Sequence, residues 1–247
     1  GIPLFISIDQ EGGMVTRINT GATFFPGAMT TAATGDSKNA YLIGKYMGRE
    51  LISLGINMNY APDLDVNNNP KNPVIGVRSY SDNPETVAEF GTAFIKGLQE
   101  NVIATGKHFP GHGDTHVDSH LALPMVPYDM DRLNKVELVP FKRAIQKGIK
   151  AIMTAHINFP ALTENGLPST LSKRCMTGFL REELGYEGLI VTDCMQMKAI
   201  QDNYTTVGAS LTAILAGANI LCICHSQDLQ SGAVNYIKES VLNHKIS

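Results

Sequence analysis

Short apolar runs alternate along the whole chain with stretches that carry helical signals, and this alternation limits the possible folds more than any other feature. The runs cover residues 4–9, 57–65, 102–108, 151–156, 189–193 and 218–224. Most of them are apolar almost without interruption, which is typical of strands covered on both faces of a parallel sheet. Several end in polar residues, namely Asp9, Asp65, Lys107 with His108, His156 and Asp193. The pattern predicts an α/β fold.

The stretches between the runs carry start and stop signals of helices. Asp36 or Ser37 caps a predicted helix that stops before Gly55, and Pro84 opens a helix that runs to about residue 101. Further helices are predicted over residues 131–148, 177–184, 205–216 and 229–242, and a short strand over 169–172.

Repeated strand–helix units imply a parallel sheet with helices outside it. Polar groups at the carboxyl ends of the strands favour a (β/α)8 TIM-type barrel, whose active site is assembled there. A doubly wound open sheet is the alternative. The DQEGG segment after the first run, residues 9–13, lacks the GxGxxG spacing of the phosphate loop that such a sheet usually carries.

The segment KHFPGHGDTHVDSH, residues 107–120, concentrates titratable side chains directly after a predicted strand. Its histidines, at positions 108, 112, 116 and 120, recur at the spacing that aligns metal ligands on a helix. Pro110, Gly111 and Gly113 disfavour a helix. These residues therefore predict a loop here, and a metal site built on a helix is disfavoured. In an extended loop, Asp118 and His120 point the same way. The pair then predicts an oriented imidazole that gives and takes a proton near neutral pH.

Charged groups at the other strand ends suit a polar ligand. Asp193, at the end of an apolar run, suits a nucleophile or a base, unless it caps a helix that begins near residue 195. Asp9, Arg78, Lys107 and His108 are candidates for binding the hydroxyls of a sugar through charge-assisted hydrogen bonds.

Composition argues against several other classes of protein. The chain has 247 residues, 43% of them apolar, which suits one large α/β domain or two small ones. The net charge is −3 and no basic stripe occurs, which argues against a nucleic-acid partner. No apolar run is long enough for a transmembrane helix. The four cysteines, at positions 175, 194, 222 and 224, lack CxxC spacing and are expected to be reduced, buried thiols.

Four motifs occur in order along the chain. They are IDQEGGMVTR at 8–17, GVRSY at 76–80, KHFPGHGDTHVDSH at 107–120 and VTDCMQMKAI at 191–200. In this combination the chain resembles glycoside hydrolase family 3, and most of all its N-acetyl-β-glucosaminidase branch. The likeness covers almost the whole chain. It implies a single catalytic barrel domain over residues 1–247, a carbohydrate partner, and no cofactor or metal.

The resemblance also implies a mechanism. The enzyme would be a retaining exo-β-N-acetylglucosaminidase that removes terminal, non-reducing N-acetylglucosamine from peptidoglycan fragments or chito-oligosaccharides. The residue matching Asp193 forms the covalent glycosyl intermediate, and His120, oriented by Asp118, protonates the leaving oxygen and then takes a proton from water. The positions that bind the sugar match Asp9, Arg17, Arg78, Lys107 and His108.

The chain also departs from the family pattern. The family barrel normally begins with a strand and helix before the IDQEGG strand, where this chain starts, and it continues beyond the helix at 229–242. We expect a fragment that lacks the first strand–helix unit and the C-terminal end of the barrel. The compartment, cytoplasmic or secreted to the cell envelope, and the oligomeric state stay open. Met14 stands where many relatives carry Arg, and Cys194 follows the nucleophile, but neither removes a catalytic group.

Other functions stay open at the level of sequence. A phosphorylase would use phosphate in place of water, because a histidine spares phosphate the repulsion of a carboxylate base. Another family 3 β-glycosidase specificity is a further alternative. A barrel metallohydrolase built on the histidines predicts bound zinc and loss of activity with a chelator. A non-catalytic relative would bind sugar without turnover.

Overall fold

A computed structural model describes residues 3–116 and 123–246 of the chain. The chain divides into two compact units. Unit 1 comprises Gly1–Asp114 and Asp131–Met153, and unit 2 comprises Thr115–Met130 and Thr154–Ser247. Asp118 and His120 lie outside the described residues.

Each of the six predicted runs contains a strand. The strands are β1 (Ser7–Ile8), β2 (Met58–Asn59), β3 (Ile103–Phe109), β4 (Ala151–Thr154), β5 (Leu189–Cys194) and β6 (Ile220–Cys222). In unit 1 they lie side by side in the order β1-β2-β3-β4, and Met58 pairs in parallel with Ser7 on one side and Ile103 on the other. In unit 2, β5 pairs in parallel with β6. The prediction of an α/β fold with parallel strands is confirmed.

Helices occupy most of the segments between the strands. They are α1 (Ala28–Ala32), α2 (Ser37–Ser53), α3 (Pro84–Leu98), α4 (Met130–Lys135), α5 (Leu138–Gln146), a π-helix (Arg174–Glu183), α6 (Lys198–Tyr204), α7 (Thr206–Ala216) and α8 (Gln227–Leu242). The predicted cap of α2 is confirmed, because the Asp36 carboxylate accepts a hydrogen bond from the Lys38 N–H at 2.9 Å. None of the described helices has both the length and the apolar character needed to cross a membrane.

The single helix predicted over residues 131–148 is wrong, because the segment forms the two helices α4 and α5. Pro140 explains the break. Its ring has no N–H and collides with the carbonyl four residues earlier in a continuous helix, which here is that of Val136. Because α5 starts afresh at Leu138, Pro140 falls in the first turn, where a missing N–H is tolerated.

The strand predicted over residues 169–172 is also wrong, because Ser169–Leu171 forms a 3₁₀ turn. The hydroxyl of Ser169 donates to the carbonyl of Ile157, and that of Thr170 donates to the carbonyl of Ala155, both at 3.0 Å. Side chains therefore dock this segment onto the residues that follow β4. The pattern predicted a strand because β-branched residues such as Thr170 are common in strands.

The run at residues 4–9 is an exception to the cover on both faces that was predicted for most of the runs. Leu4, Phe5 and Ile6 are 77%, 50% and 46% exposed. β1 stands at the end of the strand order in unit 1 and has β2 as its neighbour, so the apolar side chains before it lack the cover that β3 receives. The full pairing of β3 leaves all but its first residue buried.

Glycines allow α2 and α3 to pack closely in unit 1. A Cβ on Gly44 would lie 2.3 Å from the carbonyl oxygen of Phe94, and a Cβ on Gly97 would lie 2.1 Å from that of Tyr41. Both distances are far shorter than a van der Waals contact and involve backbone atoms. The two backbones can approach in this way only if both positions are glycine.

The substitution Gly97→Ala tests this contact. We expect a loss of about 1–3 kcal/mol in the free energy of unfolding, because a methyl group forced into a packed interface shifts the backbone. Gly178→Ala is the matched control, since a Cβ there meets nothing within 4 Å and alanine favours a helix. Urea unfolding measures both. Equal midpoints for the two variants would contradict the close helix packing.

Candidate active site

Glu11 joins three of the predicted sugar-binding residues within unit 1. Its carboxylate accepts a fork of hydrogen bonds from Arg78, with Nη2–Oε1 at 2.8 Å and Nε–Oε2 at 3.0 Å. Lys107 Nζ lies 2.7 Å from Glu11 Oε1 and also donates to Asp9 Oδ1 at 2.7 Å. The structure therefore brings Asp9, Arg78 and Lys107 together around a carboxylate that was not among the predicted site residues.

The network is buried at its centre and exposed at one end. The side chains of Lys107 and Glu11 are 3% and 7% exposed, whereas that of Asp9 is 39% exposed. Burial alone would raise the pKa of Glu11, but Lys107 and Arg78 outweigh it and lower that pKa to about 2. Burial would lower the pKa of Lys107, but Glu11 and Asp9 raise it. Both buried groups are therefore charged at neutral pH, and Asp9 is the accessible end.

The alternation of side chains along residues 9–11 explains why Asp9 and Glu11 share a side. In an extended segment alternate residues point in opposite directions, so Gln10 points away from both carboxylates. Its side-chain oxygen accepts from the backbone N–H of Arg17 at 2.7 Å and of Ile18 at 3.2 Å. These two bonds fix the backbone at Arg17. The side chain of Arg17 is exposed, and no described contact joins it to the Lys107 network.

A second buried carboxylate, Asp63, lies beside Arg78. Arg78 Nη2 is 3.6 Å from Asp63 Oδ2, and Asp63 Oδ1 accepts from the backbone N–H of Asp65 at 2.9 Å. Burial and the neighbouring Asp65 raise the pKa of Asp63 well above its usual range, although Arg78 opposes them. The first effect is desolvation of the charged form, and the second is repulsion between like charges.

Asp65 orients His108. Its Oδ2 lies 2.7 Å from His108 Nδ1, and its Oδ1 accepts from the backbone N–H of His112 at 2.5 Å. Burial would raise the pKa of Asp65, but His108 and the contacts with His112 lower it. An ionised carboxylate accepts hydrogen bonds, so Nδ1 of His108 carries a proton and the ring orientation is fixed.

The start of the histidine-rich loop is held by contacts that demand particular residues. A Cβ on Gly113 would lie 1.7 Å from the carbonyl oxygen of Val66, so the loop can lie against Val66 only with glycine there. Asn72 Nδ2 donates to the carbonyl of His112 at 2.7 Å and to that of Gly113 at 3.0 Å. Gly113, which helped to predict a loop from the sequence, thus allows the backbone of the loop to lie against that of Val66. The predicted pair Asp118 and His120 follows this segment, outside the described residues.

Asp193 lies in unit 2, one residue before the end of β5, and is half-buried. Its Oδ1 accepts a hydrogen bond from the N–H of Cys194 at 2.7 Å. The alternative that Asp193 caps a helix is wrong, because α6 begins at Lys198 with Met197 in the capping position. The carboxylate is therefore not used to start a helix.

His156 holds the backbone next to Asp193. Its Nε2 lies 3.0 Å from the carbonyl oxygen of Cys194, and its Nδ1 lies 2.9 Å from the hydroxyl of Thr170. A carbonyl only accepts, so Nε2 is the donor in the contact with Cys194, and the two contacts together fix the ring orientation. His156 was predicted as a polar strand end, and its contacts give it a positioning role.

One set of described residues has the composition of a metal site. Ligand atoms of Asp63, Asp65 and His108 lie within 4.8 Å of one another. Asp65 already accepts backbone and ring N–H groups, and the Arg78 guanidinium lies beside Asp63. A fixed positive charge at this distance opposes a bound cation. The set is best described as a hydrogen-bonded support for His108.

Comparison with known proteins identifies the family. Residues 1–247 match the Glycosyl hydrolase family 3 N terminal domain, and the chain belongs to this family. A beta-hexosaminidase A from Pseudoalteromonas piscicida is 46% identical over 235 residues, which are 89% of this chain and 39% of that protein. A beta-hexosaminidase from Nitrosomonas eutropha is 34% identical over 233 residues, 92% of this chain and 66% of that protein.

Solved structures agree with the sequence comparison. A glycoside hydrolase family 3 beta-N-acetylglucosaminidase from Paenibacillus sp. str. FPU-7 matches with a TM-score of 0.98 and 51% identity, over 100% of this chain and 47% of that chain. The resemblance drawn from the four sequence motifs is confirmed at the level of the family. The chain spans between 39% and 66% of the length of these three relatives.

The lowered pKa of Glu11 predicts a pH-dependent contribution to stability. A carboxylate whose pKa falls from 4.5 to about 2 on folding stabilises the protein above pH 4.5, and this stabilisation is lost as the pH falls towards 2. We expect Glu11→Gln to lower the free energy of unfolding by about 3 kcal/mol at pH 6 and by progressively less below pH 4.5.

Denaturant unfolding at several pH values measures this difference. Glu89→Gln is the matched control, because it removes the same charge from an exposed position on α3. A loss in Glu11→Gln that stays constant from pH 6 to pH 3 would contradict an ionised, buried Glu11.

Proposed function

We propose that this chain is the catalytic part of a retaining exo-β-N-acetylglucosaminidase, which hydrolyses terminal, non-reducing N-acetylglucosamine from peptidoglycan fragments or chito-oligosaccharides. The observation that carries the proposal is the buried Lys107, which fixes Asp9 at the accessible end of a charged network. A carboxylate held in this way is suited to accept hydrogen bonds from sugar hydroxyls. The names of the relatives, beta-hexosaminidase and beta-N-acetylglucosaminidase, support the substrate class.

The reaction would proceed by double displacement. Asp193 attacks the anomeric carbon while His120 protonates the leaving oxygen, and the leaving group departs from a covalent glycosyl–aspartate. His120 then takes a proton from water, which attacks the anomeric carbon and releases Asp193. Asp118 orients His120 throughout. Asp9, Arg17, Arg78, Lys107 and His108 bind the sugar at the reacting subsite.

The geometry around Asp193 and His108 is consistent with these roles. Asp193 lies one residue before the end of the apolar strand β5, and its carboxylate accepts a backbone hydrogen bond from Cys194. His108 is held by Asp65 in one ring orientation, which suits a residue that donates a directed hydrogen bond to a sugar hydroxyl. Neither role requires a metal or an organic cofactor.

We infer that residues 1–247 belong to one (β/α)8-type catalytic barrel domain. Six parallel strands, most of them followed by a helix, support this architecture. A barrel of this kind places polar groups from strand ends at one face, where its active site forms.

Release of p-nitrophenol from its N-acetyl-β-glucosaminide is the direct assay of the activity. We expect turnover that is unaffected by EDTA and that yields N-acetylglucosamine with retained anomeric configuration. Phosphate-dependent release of sugar 1-phosphate would instead make the chain a phosphorylase. Loss of turnover with EDTA would favour a metallohydrolase, and sugar binding without turnover would favour a non-catalytic relative.

Two substitutions separate the proposed roles. Asp193→Ala should lower kcat on every substrate by at least about 10⁴-fold, because no covalent intermediate can form. His120→Ala should lower kcat/KM about 10²- to 10⁴-fold on substrates with poor sugar leaving groups, and far less on p-nitrophenyl substrates that leave without a proton. Equal losses of His120→Ala on both substrates would contradict proton transfer. His225→Ala, an exposed histidine in unit 2, is the matched control.

A further inference from the structure

Three cysteines lie at the carboxyl ends of β5 and β6 in unit 2. Cys194 ends β5 and is the register partner of Cys222, which ends β6. Cys224 follows two residues later and is exposed, whereas Cys194 is half-buried. The expectation of buried thiols holds for Cys175 and is wrong for Cys224, because that residue lies beyond the end of β6. The proposed glycosidase chemistry uses none of these thiols, although Cys194 directly follows Asp193.

The side chains of Cys194 and Cys224 contact each other. The pairing of β5 with β6 brings them together, because Cys194 lies opposite Cys222 and the Met195 N–H donates to the carbonyl of Cys222 at 2.8 Å. A neighbouring thiol that can donate to the sulfur of Cys194 favours the thiolate form there. Loop contacts keep the two segments in place, since Gln196 Oε1 accepts from the N–H of His225 at 2.7 Å.

We propose that Cys194 and Cys224 are a modification site, an oxidisable thiol pair that closes to a disulfide when the protein meets a peroxide. The two residues lie at the ends of paired strands, the loops that follow are joined by the bond from the His225 N–H to Gln196, and Cys224 is exposed. The effect of this modification on catalysis, described below, rests on the proposed function of Asp193.

The ionisation of the two thiols favours this reaction. The neighbouring Cys224 thiol lowers the pKa of Cys194 to about 6, although burial opposes the shift, and Cys194 in turn raises the pKa of Cys224. At neutral pH Cys194 is therefore a thiolate beside a neutral Cys224 thiol. Cys175 is the opposite case, because burial raises its pKa to about 12.

The reaction has two balanced steps with hydrogen peroxide as oxidant. The Cys194 thiolate attacks one peroxide oxygen and the O–O bond breaks, which gives a sulfenic acid at Cys194; the hydroxide that leaves takes a proton from solvent and becomes water. The Cys224 sulfur then attacks the sulfenic sulfur, an S–S bond forms, and its hydroxyl leaves as a second water with the Cys224 proton. The two thiols lose two electrons in total, and the peroxide gains them.

Oxidation would also act on Asp193. The N–H of Cys194 donates to Asp193 Oδ1 at 2.7 Å, so the backbone of Cys194 sets the position of that carboxylate. Two free thiols must come closer and adopt a dihedral near 90° to form a disulfide, which moves this backbone. A displacement near 1 Å at a reacting group lowers rates by up to about 100-fold.

Peroxide treatment followed by alkylation, proteolysis and mass spectrometry tests the pair. We expect a Cys194–Cys224 disulfide with Cys175 still alkylated, and in Cys224→Ser a sulfenic acid at Cys194 that dimedone captures. Oxidation of Cys194 and Cys224 no faster than that of Cys175, or a disulfide that uses Cys222 in place of either, would overturn the proposal. Cys222→Ser is the matched control and should still form the Cys194–Cys224 disulfide.

The same samples report on catalysis. We expect oxidised wild type to lose at least about tenfold in kcat and to recover with dithiothreitol, whereas Cys224→Ser should keep its activity through brief peroxide exposure. Full activity in a protein shown to be oxidised would overturn the coupling to Asp193. Absence of turnover before oxidation would count against the proposed function, while the disulfide map would still decide the thiol pair.

Discussion

The structure of unit 1 depends on a buried ammonium group. Lys107 Nζ lies 2.7 Å from both Asp9 Oδ1 and Glu11 Oε1, and its side chain is 3% exposed. An unpaired charge in such a place would be strongly destabilising, so the carboxylates must stay where they are. Glu11 in turn fixes Arg78 through a bidentate pair of hydrogen bonds to its guanidinium. One charge thus ties the end of β1, the turn that carries Arg78, and β3 into a single rigid arrangement.

A second layer supports this network. Asp65 accepts from the ring and backbone of His108 and from the backbone of His112, while Gly113 lies against the backbone of Val66. The histidine-rich segment is therefore anchored at its start by buried contacts. Asp63 completes the layer beside Arg78 with a raised pKa, which limits the negative charge gathered around one guanidinium. The polar strand ends are organised in advance of any ligand.

The sequence pattern predicted six strands, their parallel arrangement, most helices and three members of the Lys107 network. Alternation and capping are local signals, so they can be read without knowing the fold. Glu11, Asp63 and Asp65 were missed as site residues, although each lies two positions from another acidic residue, the spacing that places side chains on one side of an extended segment. The helix break before α5 was also missed, although Pro140 is a local signal for it. The proximity of Cys194 and Cys224 depends on the pairing of β5 with β6, which no local pattern contains.

A charged network that ends in an accessible carboxylate, and the strand β5 that carries Asp193 one residue before its end, suit the retaining glycosidase proposed above. The central claim is that Asp193 carries the sugar between the two displacements. Incubation with a slow fluorinated N-acetylglucosaminyl fluoride, followed by peptic digestion and mass spectrometry, tests it most directly. We predict one N-acetylglucosaminyl unit on the peptide that contains Asp193. A protein that turns substrate over but shows no adduct, or an adduct on another residue, would contradict the account.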